Sequence, residues 1–346
     1  MISHSPSKRS FLATSLAALG LAAVTAGAAL APVPAAAQEQ RLRLVTAFPM
    51  EGPVGDKMYG AKLFIQRFNE RAKGKARIDV VGGPEVVSPF DQLKALQTGQ
   101  FDMMVSTATY FSEMRSIQFF NYIPFEKQVR LAPTGIELLQ RMSRESAGVV
   151  LLQLSNPGNS FYLWSRTKPI RTVADAKGMK IRTFGDTTEP MVKHLGVVPT
   201  NIPSNEVYSS LRSGLLDGTL RDQLSLEVLR EGEHIKYGTE AKVADINSEL
   251  YISARTWDSL SPEVRKIANE VARETEREAL KWLTERSAKS RELIRTKYGT
   301  EIVKSEPDLR KVLEQDIPSD IIRKLVGNSK DRNEIIQKFE LQQYFQ

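Results

Sequence analysis

The chain alternates between short apolar runs and helical segments, and this alternation predicts an α/β fold. Residues 41–46 place apolar side chains at every second position, which is the period of a strand with one buried face. A helix is predicted at 55–73, because apolar residues recur there at helical spacing and Gly74 ends the run. Further strands are predicted at 77–81, 101–106, 149–154, 161–165, 179–183, 197–202, 219–220 and 250–254. Because helices and short connections separate the strands, we expect a sheet whose faces are covered.

Residues that cap the backbone mark where two helices begin. Thr172 and Asp175 stand three positions apart, as in a capping box, and predict one helical turn that Gly178 stops. Ser88 followed by Pro89 predicts a second helix start, with the serine as N-cap and the proline in the first helical position. The buried stripe of that helix is predicted to be Phe90, Leu93 and Leu96.

A third start predicts an unusually long helix. Ser261 and Pro262 begin a run that contains no further Gly or Pro as far as Lys297. Apolar residues from Val264 to Leu283 recur on one face of this run. A helix of this length is long for one globular domain, so we expect it to lie across two.

The first 37 residues predict export. Lys8 and Arg9 precede an apolar stretch at 11–30, and small residues at 35–37 resemble a cleavage site before Gln38. A membrane anchor is the alternative, but the stretch is mostly Ala and Gly. The sequence therefore predicts a periplasmic protein with its signal peptide cleaved near Ala37, and it leaves ordinary secretion and twin-arginine export both open.

Composition argues against several classes of function. The chain has no Cys and a formal net charge of +7, of which Lys8 and Arg9 supply two units, so removing them leaves +5. Basic and acidic residues are interleaved, which does not favour a nucleic-acid partner. His194 and His234 stand apart without zinc spacing, and no nucleophile elbow, P-loop or dinucleotide fingerprint is present. We expect no enzyme activity, cofactor or metal, although a hydrolase that uses an unrecognised carboxylate pair stays open.

Five segments carry a resemblance to a known family. Residues 174–182 contain Asp-Ala-Lys-Gly-Met-Lys-Ile-Arg, 195–199 read Leu-Gly-Val-Val-Pro, and 206–218 run from Glu-Val-Tyr to Asp-Gly. With the segments at 83–87 and 92–102, they resemble in order and distance the solute-binding proteins of tripartite ATP-independent periplasmic (TRAP) transporters. Each piece is short, but the combination is specific and extends over nearly the whole mature chain.

The resemblance implies a two-domain, type II-like periplasmic binding fold with mixed sheets, hinge strands and a long helix that spans both domains. Domain I is expected at 38–160 plus 248–280, and domain II at 161–247 plus 281–330. Residues 331–346 are expected to form a C-terminal tail without a functional role.

Arg182 inherits the principal role from the resemblance, because the arginine of that segment binds the ligand carboxylate in the family. Its planar guanidinium suits a carboxylate, to which it can donate two parallel hydrogen bonds. From the residues alone, a structural ion pair with a nearby Asp is the alternative. Glu85, Phe90, Thr107 and Tyr110 are further ligand-binding candidates, because they fall in first-domain loops that face the cleft in relatives.

Two departures from the family pattern add candidates. Tyr162 stands where many relatives carry a second Arg, and Trp164 follows two positions later on the same predicted strand. Both are predicted to line the pocket, with core packing as the alternative for Trp164. Arg221 follows the Asp-Gly turn and would favour a second acidic or keto group on the ligand, unless Asp222 neutralises it.

These observations predict a monomeric binding protein that captures a small organic acid between its domains. The resemblance implies that it delivers the acid to the small and large TRAP membrane subunits. A binding protein that serves a receptor or another type of transporter is the alternative within the same class.

Overall fold

The computed structural model describes residues 39–346, and the predicted signal peptide lies outside this range. The strands form two mixed sheets. Their bounds are β1 Gln40–Thr46, β2 Ala76–Gly82, β3 Met103–Ser106, β4 Val149–Leu154, β5 Ser160–Ser165, β6 Lys180–Thr183, β7 Val198–Asn201, β8 Gly218–Asp222, β9 Tyr237–Asp245, β10 Glu249–Ser253 and β11 Glu301–Val303.

Each sheet belongs to one lobe. Lobe I contains the five-stranded sheet of order β2-β1-β3-β10-β4, in which β1 runs parallel to β2 and β3 while β10 runs antiparallel to β3 and β4. Lobe II contains the six-stranded sheet of order β11-β9-β5-β8-β6-β7. In that sheet β5 runs antiparallel to β8 and β9, whereas β6 runs parallel to β7 and β8. The predicted two-domain α/β fold is confirmed.

Helices cover both sheets. Their bounds are α1 Tyr59–Arg71, α2 Gln92–Gln97, α3 Arg115–Gln118, α4 Phe125–Ala147, α5 Val173–Ala176, α6 Thr188–Leu195, α7 Val207–Ser213, α8 Gln223–Val228, α9 Ala254–Ser259, α10 Pro262–Tyr298, α11 Pro307–Lys311, α12 Ile317–Gly327 and α13 Arg332–Lys338. Among residues 39–346, no helix is both long and apolar enough to cross a membrane.

Helix α10 connects the two lobes, as its sequence predicted. Ser261 caps it by accepting a hydrogen bond from the Val264 amide at 3.3 Å, and Pro262 occupies the first turn. Its 37 residues span roughly 55 Å at about 1.5 Å per residue. It packs against α1 beside the first sheet and against α8 beside the second.

The chain also crosses between the sheets at two short linkers. Residues 155–159 connect β4 to β5, and residues 246–248 lead from β9 back to β10. The linkers bond to each other: the Ser155 amide donates to the Ser248 carbonyl at 2.7 Å, and the Ile246 amide donates to the Asn159 carbonyl at 3.0 Å. The two crossings therefore lie side by side, as expected of a hinge.

Of the other two predicted helix starts, one is confirmed and one is wrong. Thr172 and Asp175 form the predicted capping box. The hydrogen bonds that the Asp175 carboxylate accepts, first from the Thr172 amide and then from the Arg171 amide and the Thr172 hydroxyl, lower the pKa of Asp175 against the opposing effect of desolvation. In contrast, α2 begins at Gln92 rather than at Pro89. The Asp91 amide donates to the Ser88 carbonyl at 2.8 Å, which closes a turn over 88–91 and leaves Phe90 outside the helix.

Sequence patterns missed α4 and β9 and underestimated the C-terminal segment. Gly135 interrupts the pattern of α4, and a Cβ at this position would lie 2.5 Å from the Phe339 ring. That ring packs edge-on against Phe119 and Phe120 and is fully buried, as are Ile335 and Leu341. Residues 331–346, which were predicted as a tail, thus contribute to the core.

Candidate functional site

Three adjoining cavities lie between the lobes. The central cavity measures about 30 Å³, and its walls include Lys57, Thr107 and Tyr110 from lobe I and Arg182, Arg221 and Asp222 from lobe II. The mouth cavity, about 370 Å³, shares Tyr110 with it. The third cavity, about 470 Å³, shares Phe48 with the central cavity and includes Glu85 in its wall. The cleft is therefore narrow at its charged centre and wider on both sides.

Arg182 lies on β6 and is 1% exposed. Its Nε and Nη2 donate to the Ile202 carbonyl at 3.2 and 3.1 Å, and its guanidinium lies 4.3 Å from the Phe184 ring centre. Burial lowers the pKa of Arg182 to about 10, opposed by the Tyr110 hydroxyl beside it, so the group stays charged at neutral pH. Within residues 39–346, Arg182 forms no ion pair, and the predicted alternative of a structural partner does not apply there.

Arg221 lies on neighbouring strand β8 and is equally buried, at 2% exposed. Glu231 holds its fork: Nε donates to one carboxylate oxygen at 2.9 Å and Nη2 donates to the other. Burial alone would lower the pKa of Arg221, but the attraction of the nearby carboxylates, chiefly that of Glu231, has the larger effect in sum, so the pKa of Arg221 is raised. The guanidinium is thus committed to Glu231, a partner that was not anticipated, rather than to Asp222.

Asp222 pairs with Lys57 across the cleft. The Lys57 ammonium lies 3.1 and 3.3 Å from the two carboxylate oxygens and also donates to the Ser225 hydroxyl. Asp222 caps α8 by accepting from the Ser225 amide at 2.8 Å. Burial lowers the pKa of Lys57. Burial also disfavours the charged form of Asp222, but the nearby cations Lys57 and Arg221 have the larger effect and lower the pKa of Asp222. This pair joins the lobes at the bottom of the central cavity.

The central cavity carries one excess positive charge. Three cations (Lys57, Arg182 and Arg221) face two carboxylates (Asp222 and Glu231), and each carboxylate is paired with a cation other than Arg182. Because a buried charge without a partner is costly, the arrangement favours the entry of one anionic group at Arg182.

The structure brings four of the eight predicted residues together in the wall of the central cavity, namely Thr107, Tyr110, Arg182 and Arg221. Phe90 lies in the mouth cavity, where its ring meets Tyr110 edge-on at 4.8 Å. Glu85 lies in the third cavity and accepts a hydrogen bond from the Gly83 amide at 2.6 Å, which lowers the pKa of its carboxyl.

Tyr162 and Trp164 lie outside all three cavities. Side chains alternate along β5, so Phe161 reaches the central cavity while Tyr162 and Trp164 point to the opposite face of the sheet. Trp164 is fully buried there and donates from Nε1 to the Arg221 carbonyl at 2.8 Å. Its position matches the core-packing alternative.

Lys57 and Phe184 are site residues that the sequence patterns missed. Phe184 stands two positions after Arg182, so strand alternation could have placed both on one face. Lys57 lies in a short helical turn over Pro53–Met58, where no periodic pattern distinguishes it from a surface lysine. Among residues 39–346, no cluster of His, Asp or Glu is arranged to hold a metal ion.

Comparison with known families and proteins gives one consistent result. The family model described as "Bacterial extracellular solute-binding protein, family 7" (DctP) matches residues 52–320, more than half of the chain. A "Solute-binding protein" from Albidiferax ferrireducens is 26% identical over 281 residues, which cover 75% of this chain and 78% of that protein.

Two solved structures show the same fold. DctP7 of Bordetella pertussis, an extracytoplasmic solute receptor binding pyroglutamic acid, aligns with a TM-score of 0.74 at 18% identity, over 89% of this chain and 100% of that one. A TRAP periplasmic solute-binding protein from Sulfitobacter sp. NAS-14.1 with bound β-D-galacturonate aligns with a TM-score of 0.72 at 22% identity, over 87% and 99%.

Proposed function

Because the chain belongs to bacterial extracellular solute-binding protein family 7, the DctP family of TRAP solute receptors, we propose that it captures a small organic acid between its lobes. The acid binds as a carboxylate at Arg182. Capture and release require no bond chemistry, and the family consists of transport receptors rather than enzymes.

The observation that carries this proposal is the buried Arg182 guanidinium, whose hydrogen bonds go to a neutral carbonyl while its neighbour cations hold the available carboxylates. A ligand carboxylate would supply the missing negative charge. Charge-assisted hydrogen bonds contribute roughly 1.5–3 kcal/mol each, and affinity near 1 μM corresponds to about 8 kcal/mol. A few such bonds therefore suffice for a useful receptor.

The ligands of the two similar structures support the class of solute. Pyroglutamic acid and galacturonate are chemically different, but each carries one carboxyl group. One carboxylate is also what neutralises the single excess charge of the central cavity. Arg221, whose guanidinium is already bound by Glu231, does not favour a second acidic group on the ligand.

Closure of the lobes accompanies binding in this proposal. The central cavity has room for about one water, so an organic acid enters only when the lobes separate. We propose 38–160 plus 248–280 and 161–247 plus 281–330 as the units that move, since the linkers at 155–159 and 246–248 connect the two sheets. The pair of Lys57 with Asp222 would form as the cleft closes.

Delivery and location complete the proposal. The closed form presents the acid, as a monomeric receptor, to the small and large membrane subunits of a TRAP transporter. Export places the chain in the periplasm after cleavage near Ala37. Family membership and the apolar, Ala-rich segment at 11–30 support this location.

The test combines a ligand screen with a single substitution. A thermal-shift screen of organic acids on the full chain should find an acid that raises the unfolding temperature, because a ligand that binds only the folded form stabilises it. Calorimetry should then show at least tenfold weaker binding by Arg182→Ala, with Arg182→Lys intermediate and with unchanged circular dichroism. Equal affinity of Arg182→Ala and the wild type would exclude the proposed role.

A further inference from the structure

The mouth cavity offers a second set of groups next to Arg182. It is lined by both lobes, and Tyr110 forms a wall of both this cavity and the central one. At about 370 Å³ it has room for the body of an organic acid, whereas the central cavity at about 30 Å³ accommodates only a small group. A carboxylate held at Arg182 would thus leave the rest of the molecule beside Tyr110.

Gln118 supplies an unused hydrogen-bond acceptor in this wall. Its side chain is 2% exposed, and its Nε2 donates to the carbonyls of Ala108 at 2.8 Å and Phe111 at 2.9 Å. These two bonds fix the orientation of the amide, because exchanging its nitrogen and oxygen would set oxygen against oxygen. Its Oε1 is buried and accepts no hydrogen bond from residues 39–346. A buried acceptor of this kind gains from any donor that reaches it.

The charges of the cavity select the type of donor. Arg115 binds Asp186 through Nε at 3.2 Å and Nη2 at 2.5 Å, and the Lys324 ammonium lies 3.7 Å from the same carboxylate. Lys324 pairs with Glu189 as well, so the charges at this wall are balanced. Asp186, the carboxylate among the lining residues, is already bonded to Arg115 and is not free to hold an ammonium group. A neutral hydroxyl or amide N–H therefore enters at a lower desolvation cost than a cation does.

From this geometry we propose that the mouth cavity selects acids that carry a neutral hydrogen-bond donor, a hydroxyl or an amide N–H, at a distance from the carboxylate. The inference rests on the proposed function, since Arg182 must hold the carboxylate. The donor binds Gln118 Oε1, and the apolar face of the ligand packs against the aromatic pair of Phe90 and Tyr110, whose rings lie 4.8 Å apart at 83°.

Matched pairs of acids test the selection by calorimetry on the full chain. D-Galacturonate is paired with cyclohexanecarboxylate, and pyroglutamate with cyclopentanecarboxylate, so each pair shares a carboxylated ring of one size and only one member carries hydroxyl or amide groups. We expect the donor-bearing member of at least one pair to bind at least tenfold more tightly than its partner. Equal or reversed affinities in both pairs overturn the inference.

A substitution that fills the cavity gives a second readout. Ser112 is exposed and lines the mouth cavity, whereas its exposed neighbour Glu113 does not. Ser112→Phe should weaken the donor-bearing acid at least tenfold, and the control Glu113→Phe should remain within twofold of the wild type. An unchanged affinity of Ser112→Phe overturns the inference.

The outcomes separate this inference from the proposed function. Should all four acids fail to bind, the tightest acid of the wider screen decides: one without a neutral donor overturns the inference, and one with a donor supports it. In either case, loss of binding in Arg182→Ala would support the proposed function. Retained binding in that variant rejects the proposed function itself.

Discussion

Arg182 and Arg221 lie in one cavity on adjacent strands, and they are buried to the same degree, yet they have different partners. Glu231 occupies the fork of Arg221, whereas Arg182 donates to the Ile202 carbonyl and stacks on Phe184. Residue type and burial therefore do not distinguish a binding arginine from a structural one. The identity of the existing partner does.

The difference predicts opposite consequences of losing each side chain. Removing one partner of a buried ion pair leaves an uncompensated charge, which destabilises the fold. Removing a buried cation that has no anionic partner leaves no such charge behind. Arg221 variants should thus lose stability, and Arg182 variants should lose ligand affinity.

The largest expected effect is on the stability of Arg221→Ala. Glu231 would remain buried without its partner, so we expect the free energy of unfolding to fall by about 3 kcal/mol in urea titrations. The double variant Arg221→Ala with Glu231→Gln should recover part of this loss, because it removes the stranded charge. Stability within 0.5 kcal/mol or so of the wild type in the single variant would refute the structural role of the pair.

The contact of the lobes at Gly185 gives the next largest effect. Gly185 has φ +53°, and a Cβ there would lie 2.4 Å from the Thr109 carbonyl oxygen of lobe I. We expect Gly185→Ala to hinder closure and to weaken ligand binding by about 10- to 100-fold, or roughly 1.4–2.7 kcal/mol. Gly178→Ala is the control, since Gly178 also has positive φ (+74°) but nothing lies within 4 Å of the added Cβ. Equal affinities of the two variants would contradict the steric account.

Glu249 extends the comparison to acidic residues. Glu231 forms a buried ion pair with Arg221, whereas Glu249 accepts a hydrogen bond from a backbone amide. Burial raises the pKa of Glu249 from 4.5 to about 8, although the Ala108 amide, which donates to it at 3.0 Å, opposes the shift. The folded protein retains this proton up to about pH 8, while the unfolded chain releases it near 4.5. The contribution to stability is therefore complete below about pH 4.5 and is lost as the pH rises towards 8.

Urea titrations across this range test the sign of that dependence. Between pH 5 and 8, the free energy of unfolding of the wild type should fall relative to that of Glu249→Gln by up to about 1.4 kcal/mol per pH unit. Tyr251, the neighbouring titratable group, also has a pKa raised by burial and stays neutral throughout this range. Parallel pH profiles of the two proteins would show that Glu249 is not held protonated by the fold.

Tyr162 gives the smallest expected effect, because β5 turns its side chain away from the cleft. Tyr162→Phe should bind the ligand within twofold of the wild type. Tyr110→Phe, which removes the hydroxyl beside Arg182, should weaken binding several-fold. A larger effect from Tyr162→Phe than from Tyr110→Phe, measured by calorimetry, would return Tyr162 to the binding site.

Local patterns predicted the parts of the fold that local interactions determine. Ser261 and Pro262 begin α10 as expected. Thr172 and Asp175 form the predicted capping box at the start of α5. Helix α4 escaped prediction because Gly135, a poor helix former, is accommodated by packing against Phe339, about 200 positions away in the chain. No window along the sequence contains that contact.

The candidate site divides in the same way. Arg182 was identified from a segment that resembles a family motif, and its location in the central cavity agrees with the role inferred for it. The partners of the other charges were not identified, because Lys57 meets Asp222 from 165 positions away. Tyr162 and Trp164 lie on the face of β5 that is turned away from the cleft. Sequence patterns do not determine which face that is, because a shift of one residue in a strand exchanges the two faces.

The central claim is that Arg182 recognises the carboxylate of the ligand, and a double-mutant cycle tests it most directly. Calorimetry would compare the tightest acid of the screen with its carboxamide, on the wild type and on Arg182→Gln. We expect the wild type to prefer the acid, Arg182→Gln to lose that preference, and the coupling energy to be about 1.5–3 kcal/mol. A preference of equal size in both proteins would contradict the account.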